Sequence, residues 1–377
     1  MEPFSVFDER NGAFFRRARR AAMSRALSPA ALSGGLRGLA GSVRSAVRLA
    51  ATAAFQGGQA RKRAAAAAAG RSVPGILIAS VTRRCNLDCA GCYSKALRPG
   101  AAPELSDERF EELFREAAEM GVGTFLVAGG EPLVRMDLLE RIAGLRGPAV
   151  AVFTNGTLFD ETAEALFARS GMVPIFSVEG DEAFTAARRG EGIHEKALAA
   201  AAGLKRRGAP FGLSVTLTSR NADLALSDAF LGRVAELGAS VLFLIEYVPV
   251  QPGTDGLVLE ARQKALLDDA TRFSRRPFMT VSLPGDEEAF GGCLAAGRGF
   301  IHLAADGSLE ACPFAPFSDS NAGAEGLAAA LASPLMREIR SRHAELTETR
   351  GGCALWNKRG WVASLGSCRA DAGRATA

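Results

Sequence analysis

No run of apolar residues in the opening of this sequence is long enough to cross a bilayer. Within residues 1–72 the longest charge-free stretch, residues 49–60, has 12 residues, against the ~20 that a membrane-spanning helix needs. A secretory signal is missing too. Met1-Glu2-Pro3-Phe4-Ser5-Val6-Phe7-Asp8-Glu9 places acids where a signal peptide has bases, and no uncharged apolar segment follows the pairs Arg16-Arg17 and Arg19-Arg20. Seven cysteines without such a signal argue against a disulfide framework, because thiols in a reducing compartment stay reduced or are given to metal. The expected location is therefore cytoplasmic. Residues 1–72 also lack strands and aromatic platforms, so nucleic acid is not an expected partner.

What is present is a folded core with a basic extension. The 377 residues are 48% hydrophobic, enough for one large domain or a barrel with an added module. The net charge of +4 is uneven: residues 1–72 hold thirteen Arg/Lys against three Asp/Glu, a net of +10, which leaves −6 on the remainder. From Val73 onward strand-like and helix-like segments alternate, the pattern of a parallel α/β sheet with crossover helices. Strands are expected at Gly75–Thr82, Thr124–Ala128, Ala149–Thr154, Val173–Val178, Phe211–Thr218 and Ser240–Ile245, with helices such as Asp107–Met120, capped by Ser106 and ended by Gly121, and Asp160–Ser170. The six units leave no room for two more before the C-terminal cysteines.

Three cysteines within eight residues dominate the first of these units. Arg83-Arg84-Cys85-Asn86-Leu87-Asp88-Cys89-Ala90-Gly91-Cys92-Tyr93 follows the β-rich run Ile76–Thr82. Soft thiolates on one flexible loop suit an iron–sulfur cluster, which takes a thiolate at each iron. Here only three are offered, so a four-iron cluster would keep one iron open to a small ligand. The same spacing also describes a buried helix face. Against that stand Asn86, Asp88, Gly91 and two arginines, which are poor neighbours for such a face.

Cys-x3-Cys-x2-Cys after a first strand resembles the signature of the radical S-adenosylmethionine (radical SAM) superfamily. The resemblance implies a partial (β/α)6 TIM-like barrel with chemistry at the C-terminal strand ends, and a 4Fe-4S cluster on Cys85, Cys89 and Cys92 whose open iron binds SAM. Reductive cleavage of SAM would then supply a 5'-deoxyadenosyl radical for hydrogen abstraction. It also implies a reductant partner such as flavodoxin or ferredoxin, and a peptide or small-molecule substrate. Ala128-Gly129-Gly130-Glu131-Pro132, which begins its glycine pair 37 residues after Cys92, is similar to the family's GGEP motif, which carries the SAM amino group; the glycines are read as allowing close backbone approach. Asn155, in Thr154-Asn155-Gly156, sits where the family has a further SAM-site element. Ser177 and Glu179, on one side of the fourth strand's end by period-two alternation, match positions that bond the SAM ribose. The fifth strand, Ser214–Thr218, is a looser match to the adenine wall. One departure stands out. Family loops often carry an aromatic before the third cysteine, whereas this chain has Gly91 there and Tyr93 just after, so Tyr93 is the candidate replacement.

Four further cysteines follow the barrel. Segments around Ala305-Asp306-Gly307 read as a hairpin, since Asp-Gly is a strong turn signal, and it would bring Cys293 and Cys312 together. Cys-x13-Gly-x4-Cys resembles the opening of SPASM and Twitch extensions, which hold auxiliary clusters. With only Cys353 and Cys368 remaining, the shorter Twitch type and one second 4Fe-4S cluster are implied, on Cys293, Cys312, Cys353 and Cys368. Cys368, on or after a probable helix at Asn357–Leu365, reads equally as a buried or free thiol. The organisation expected is 1–72 basic helical segment, 73–285 barrel and 286–377 auxiliary-cluster module.

At the barrel mouth Glu246 and Tyr247 follow the sixth strand, and Glu246 is the general-base candidate because strand-end carboxylates face such sites. Arg188, Arg189 and His194 are read as loop residues after the fourth strand. Residues 36–55 carry an apolar stripe, Leu36, Leu39, Val43, Val47, Ala50 and Ala54, flanked by arginines. It fits a peripheral contact with an anionic membrane face or a helix packed on the barrel. Residues 1–72 show no strands of a peptide-recognition domain, which tilts the substrate toward a smaller or membrane-associated molecule. A non-catalytic iron–sulfur electron carrier or sensor on the same fold is the second reading.

Overall fold

The computed structural model describes residues 35–98, 103–284, 290–347 and 353–365. Among these residues nine strands form one sheet in the order β7-β6-β5-β4-β3-β2-β1-β8-β9. β1 (Ile76–Ser80), β2 (Thr124–Ala128), β3 (Ala149–Thr154), β4 (Val173–Val178), β5 (Gly212–Leu217) and β6 (Val241–Glu246) match the six expected strands. All pair in parallel, each with the next. The order does not close on itself, so the α/β sheet is a partial TIM-like barrel with two open edges.

Both edges extend the six-strand expectation. β7 (Met279–Leu283) adds a seventh parallel strand on β6, with Val241 opposite Met279 and Ile245 opposite Leu283. It escapes the sequence pattern because all five of its residues are only half-buried, as befits an edge. At the opposite edge β8 (Phe300–Leu303) pairs in parallel with β1 and antiparallel with β9 (Leu309–Glu310). The expected hairpin forms around Asp306 and Gly307, where Gly307 takes φ +87°. The C-terminal segment is thus joined to the barrel through a continuous backbone ladder.

The helices start and stop where local chemistry directs. Ser106 accepts from Arg109 N to begin helix Asp107–Met120, and Asp160, Asp181 and Ser227 cap the helices that follow β3, β4 and β5 in the same way. On the outside of the sheet Phe110, Phe114, Leu138, Leu166 and Phe167 of the helices share one buried cluster with Phe125 and Val127 of β2, and the Phe114 and Phe125 rings meet edge to face at 4.8 Å. Leu126, between those two, belongs to a second apolar cluster with Ile175, Val241 and Phe243, as alternation across a pleated strand requires.

A 34-residue helix, Gly35–Ala68, precedes the barrel. Its C-terminal half is docked rather than free. Gln56 Nε2 donates to Gly123 O (2.5 Å), Gln59 Nε2 to Ala118 O (2.6 Å) and Val122 O (2.9 Å), and Arg63 Nη1 to Gly121 O (2.6 Å). These carbonyls end helix Asp107–Met120, where backbone acceptors lack helical partners. Spacing of three and four brings the donors to one face, so residues 56–63, which follow the stripe at 36–55, pack on the barrel. Val47 is exposed, and residues 1–34 lie outside the described residues. No helix among the described residues is long and apolar enough to cross a membrane.

Candidate functional site

The chain leaves β1 at Ser80 and enters the cysteine loop through Val81–Arg84, held by backbone bonds to the turn after β2. Gly130 N donates to Thr82 O (2.7 Å) and Glu131 N to Arg84 O (2.8 Å). A side-chain carbon at Gly129 would collide with Thr82 O, and one at Gly130 with Arg84 O. The glycines therefore let this turn lie directly on the root of the cysteine loop, a neighbour that the sequence pattern does not identify. Glu104 accepts from Arg83 N (2.7 Å) and Thr82 Oγ1 (3.0 Å) on another side.

Glu131 is buried and points away from solvent into a cage of donors: Leu133 N (3.0 Å), Thr154 Oγ1 (2.8 Å) and Asn155 N (2.8 Å). Burial raises its carboxyl above the ordinary range, against the pull of those bonds. Pro132 begins the short 3-10 turn that follows. Asn155 Nδ2 donates to Asn86 Oδ1 (2.9 Å), so the end of β3 grips the loop between Cys85 and Cys89. Ser177 lies 3.2 Å from Ser214, oxygen to oxygen, across β4 and β5.

Glu179 is almost fully buried and already bound to two cations. Its Oε1 accepts from Arg188 Nη1 (2.6 Å) and from Arg189 Nε (2.7 Å), while Oε2 accepts from Thr216 N (3.2 Å). Arg188 and Arg189 belong to the last turn of helix Glu182–Arg189 rather than to a loop. Arg188 reaches the cysteine loop twice: its Nε donates to Ala90 O (3.2 Å) and its backbone O accepts from Ala90 N (2.9 Å). One residue thereby ties Cys89's neighbour to the ends of β4 and β5.

Cys85, Cys89 and Cys92 are half-buried. Burial pushes the Cys85 and Cys89 thiols up, and at Cys89 the guanidinium groups of Arg189 and Arg188 act in the opposite sense. Among the described residues no three His, Cys, Asp or Glu side chains converge on a point where one ion would sit. Cluster ligands need not converge so, because each thiolate takes a different iron. His194, near the start of helix Ile193–Arg206, has its pKa lowered by burial.

The end of β6 places Glu246 and Tyr247 differently from each other. Glu246 is buried and paired with Lys264 Nζ at 2.8 Å. Tyr247 is buried against Gly91, and its hydroxyl has no hydrogen-bond partner among the described residues. Tyr93, the other aromatic considered, starts helix Tyr93–Leu97 and packs on Phe314 with ring centroids 4.8 Å apart. Burial raises its pKa to about 12.

Cys293, Cys312 and Cys353 are all buried, from three separate segments. A hydrogen bond to Cys353, then burial, then the nearness of Cys353 and Cys293 push the Cys312 thiol well up, so the three sulfurs share one neighbourhood. Cys368 lies outside the described residues. Between the two cysteine groups runs a buried chain that sequence reading missed. Ser80 Oγ lies 2.8 Å from His302 Nε2, His302 Nδ1 lies 2.7 Å from Glu310 Oε2, and Arg98 donates to Glu310 and to Pro313 O (2.8 Å). It has the order of a hydrolytic triad, but all its members are buried, and it joins β1 to the hairpin. No spacing rule could have found it, since Ser80 and His302 are 222 residues apart.

Residues 79–223 match the family model of the Radical SAM superfamily. Among curated proteins, pre-heme d1 synthase of Dinoroseobacter shibae is 35% identical over 154 residues, 39% of this chain and 37% of that protein. PqqA peptide cyclase of Granulibacter bethesdensis is 34% identical over 150 residues, 38% of this chain and 40% of that one. The chain thus spans well under half the length of either relative. Among solved structures, Streptococcus suis SuiB bound to S-adenosylmethionine is similar with a TM-score of 0.61 at 17% identity, covering 75% of this chain and 72% of that one. At that identity the likeness concerns the fold.

Proposed function

On the premise that residues 79–223 are a radical SAM domain, we propose that this protein is a radical SAM enzyme acting on a peptide or small-molecule substrate. The observation that carries the reading is the cysteine loop itself. Three half-buried thiols stand at the end of β1, in a loop bonded to the glycine turn after β2, to Asn155 after β3 and to Arg188 after β4. The donor set fits a 4Fe-4S cluster with one iron left for SAM: three soft ligands on one short loop, flanked by two guanidinium groups that offset anionic charge.

When bound, cluster and SAM together supply the oxidising 5'-deoxyadenosyl species that takes a hydrogen atom from substrate. The chain's own residues hold and shape that site. Cys85, Cys89 and Cys92 would bind the cluster; Gly129, Gly130 and Pro132 form the turn beside the loop, and Glu131 braces that turn against Asn155. Ser177 and Glu179 are the proposed ribose contacts. Since Glu179 is engaged by Arg188 and Arg189, its free lone pairs lie chiefly on Oε2, which accepts a single bond of 3.2 Å. Glu246, with Lys264 beside it, is the proposed base for a substrate proton.

The buried neighbourhood of Cys293, Cys312 and Cys353 supports a second, Twitch-type 4Fe-4S cluster. A small redox protein such as flavodoxin or ferredoxin would supply the electron. PqqA peptide cyclase and SuiB, which has also been solved with its precursor peptide SuiA, support a peptide substrate; pre-heme d1 synthase supports a small molecule. The test is anaerobic. Reduced, reconstituted protein given SAM should release 5'-deoxyadenosine and methionine. Tight SAM binding with no cleavage, even with substrate extracts, would overturn the enzyme and leave the electron-carrier reading.

A further inference from the structure

Tyr247 is a buried aromatic at the site whose polar group has no partner among the described residues. Its side chain is enclosed, with the residue 3% exposed, and its hydroxyl makes no hydrogen bond. A buried hydroxyl in that state is unfavourable and in native proteins usually answers to a ligand or water. The backbone that carries the ring is fixed on both sides. Tyr247 N donates to Leu217 O of β5 (2.9 Å), and two residues on Pro249 O accepts from Trp356 Nε1 (3.2 Å).

Where it is aimed is set by Gly91. A side-chain carbon at position 91 would stand 2.9 Å from both the Tyr247 hydroxyl oxygen and its Cε2, so the phenol occupies the space that any larger residue would need. Gly91 also takes φ +68°, which other residues rarely adopt. Gly91 lies between Cys89 and Cys92. The orphan hydroxyl is thus brought against the loop that carries the three thiols.

We propose that Tyr247 is a positioning residue that donates its hydroxyl hydrogen bond to the sulfur shell of the cluster held by Cys85, Cys89 and Cys92. This rests on the cluster assignment made above. Hydrogen bonds to cluster sulfur favour the more negative, reduced state and so raise the reduction potential. Tyr247 would therefore ease the electron's arrival before any substrate is bound, and Gly91 is small because the phenol needs its place.

The test compares wild type with Tyr247→Phe, which keeps the ring and removes only the donor, in full-length anaerobically reconstituted protein without SAM. The relevant cluster is recognised as the one whose paramagnetic signal changes when SAM is then added. Expected for Tyr247→Phe is full iron content, a loss of the exchangeable proton coupled to that cluster, and a fall in its reduction constant of up to about tenfold, equivalent to about 59 mV for one electron. Unchanged potential and unchanged proton coupling at full iron content would overturn the proposal, as would weaker SAM binding with the potential intact, which would assign the hydroxyl to SAM. If Tyr247→Phe fails to load iron, Gly91→Ala decides, because it keeps the hydroxyl but pushes it aside: a lowered potential supports the proposal and an unchanged one overturns it. Wild-type protein that binds no iron on the N-terminal cysteines would sink the cluster assignment instead, a separate failure.

Discussion

The two cysteine groups flank the same sheet, one half-buried and the other enclosed. Cys85, Cys89 and Cys92 are half-buried on a loop held by polar clamps, with charged partners on several sides. Cys293, Cys312 and Cys353 are buried within the apolar core that includes Ala295, Ala311 and Leu355. A site that must admit a ligand needs an open side and therefore depends on hydrogen bonds and ion pairs to hold its shape. One that only passes electrons or stiffens a module is better enclosed. The difference supports a reacting role for the first group and a guarded one for the second.

Replacing Cys85, Cys89 and Cys92 together with Ala tests that contrast most directly. SAM cleavage should fall to background while about four irons per chain remain, as a single 4Fe-4S cluster on the C-terminal cysteines requires. Iron-free but folded protein would remove the second cluster and with it the contrast. Glu179→Ala comes next. It leaves two half-buried guanidinium groups beside Cys89 without their carboxylate and should cost about 3 kcal/mol of stability, measured by denaturant unfolding, with the loop around Ala90 losing protection from hydrogen exchange. A loss below about 1 kcal/mol would show that the clamp does not hold the loop.

The enclosed side should be the more sensitive to acid. Burial, and then Arg98, hold His302 below its ordinary value of 6.5, so the unfolded chain binds more protons there than the folded one and stability rises with pH. That contribution is present above about pH 6.5 and fades as pH falls toward the folded value. Burial alone would raise Glu310, but Arg98 and His302 hold it below its usual range, which extends the loss to lower pH. Thermal melts from pH 8 to pH 5 should therefore drop more steeply for wild type than for His302→Gln. Parallel curves would remove His302 from the account. The smallest effect is expected from Gln59→Ala, which leaves Ala118 O and Val122 O without this donor. It should cost about 1–2 kcal/mol, read as a lowered melting temperature, and an unchanged value would show that the docking of helix Gly35–Ala68 rests on other residues.

Much of this molecule was legible in one dimension. β2, β3 and β4 lie where alternation and turn residues place them, and Ser106 and Gly121 bound a helix as local capping chemistry dictates. β7 was not legible because an edge strand buries little and carries Thr280 and Ser282 among its apolar residues. Glu179 and Tyr247 were visible as candidates at strand ends, but not their occupations. A carboxylate read as open to a ribose is gripped by Arg188 and Arg189, nine and ten residues on, and Tyr247 lies against Gly91, a neighbour that no spacing in the sequence indicates.

By itself the sequence determined strands β1 to β6 with the helices between them, the three-thiol loop after β1 and the hairpin of β8 and β9, because these depend on spacing and on turn chemistry, which act over a few residues. Only the tertiary structure decided what surrounds each thiol: Arg188 on Ala90, Tyr247 over Gly91, and the Ser80–His302–Glu310 chain behind β1. Those contacts join residues that close together only when the sheet curls. In that enclosed setting desolvation and unpaired hydrogen-bonding groups carry energies large enough to tune a cofactor.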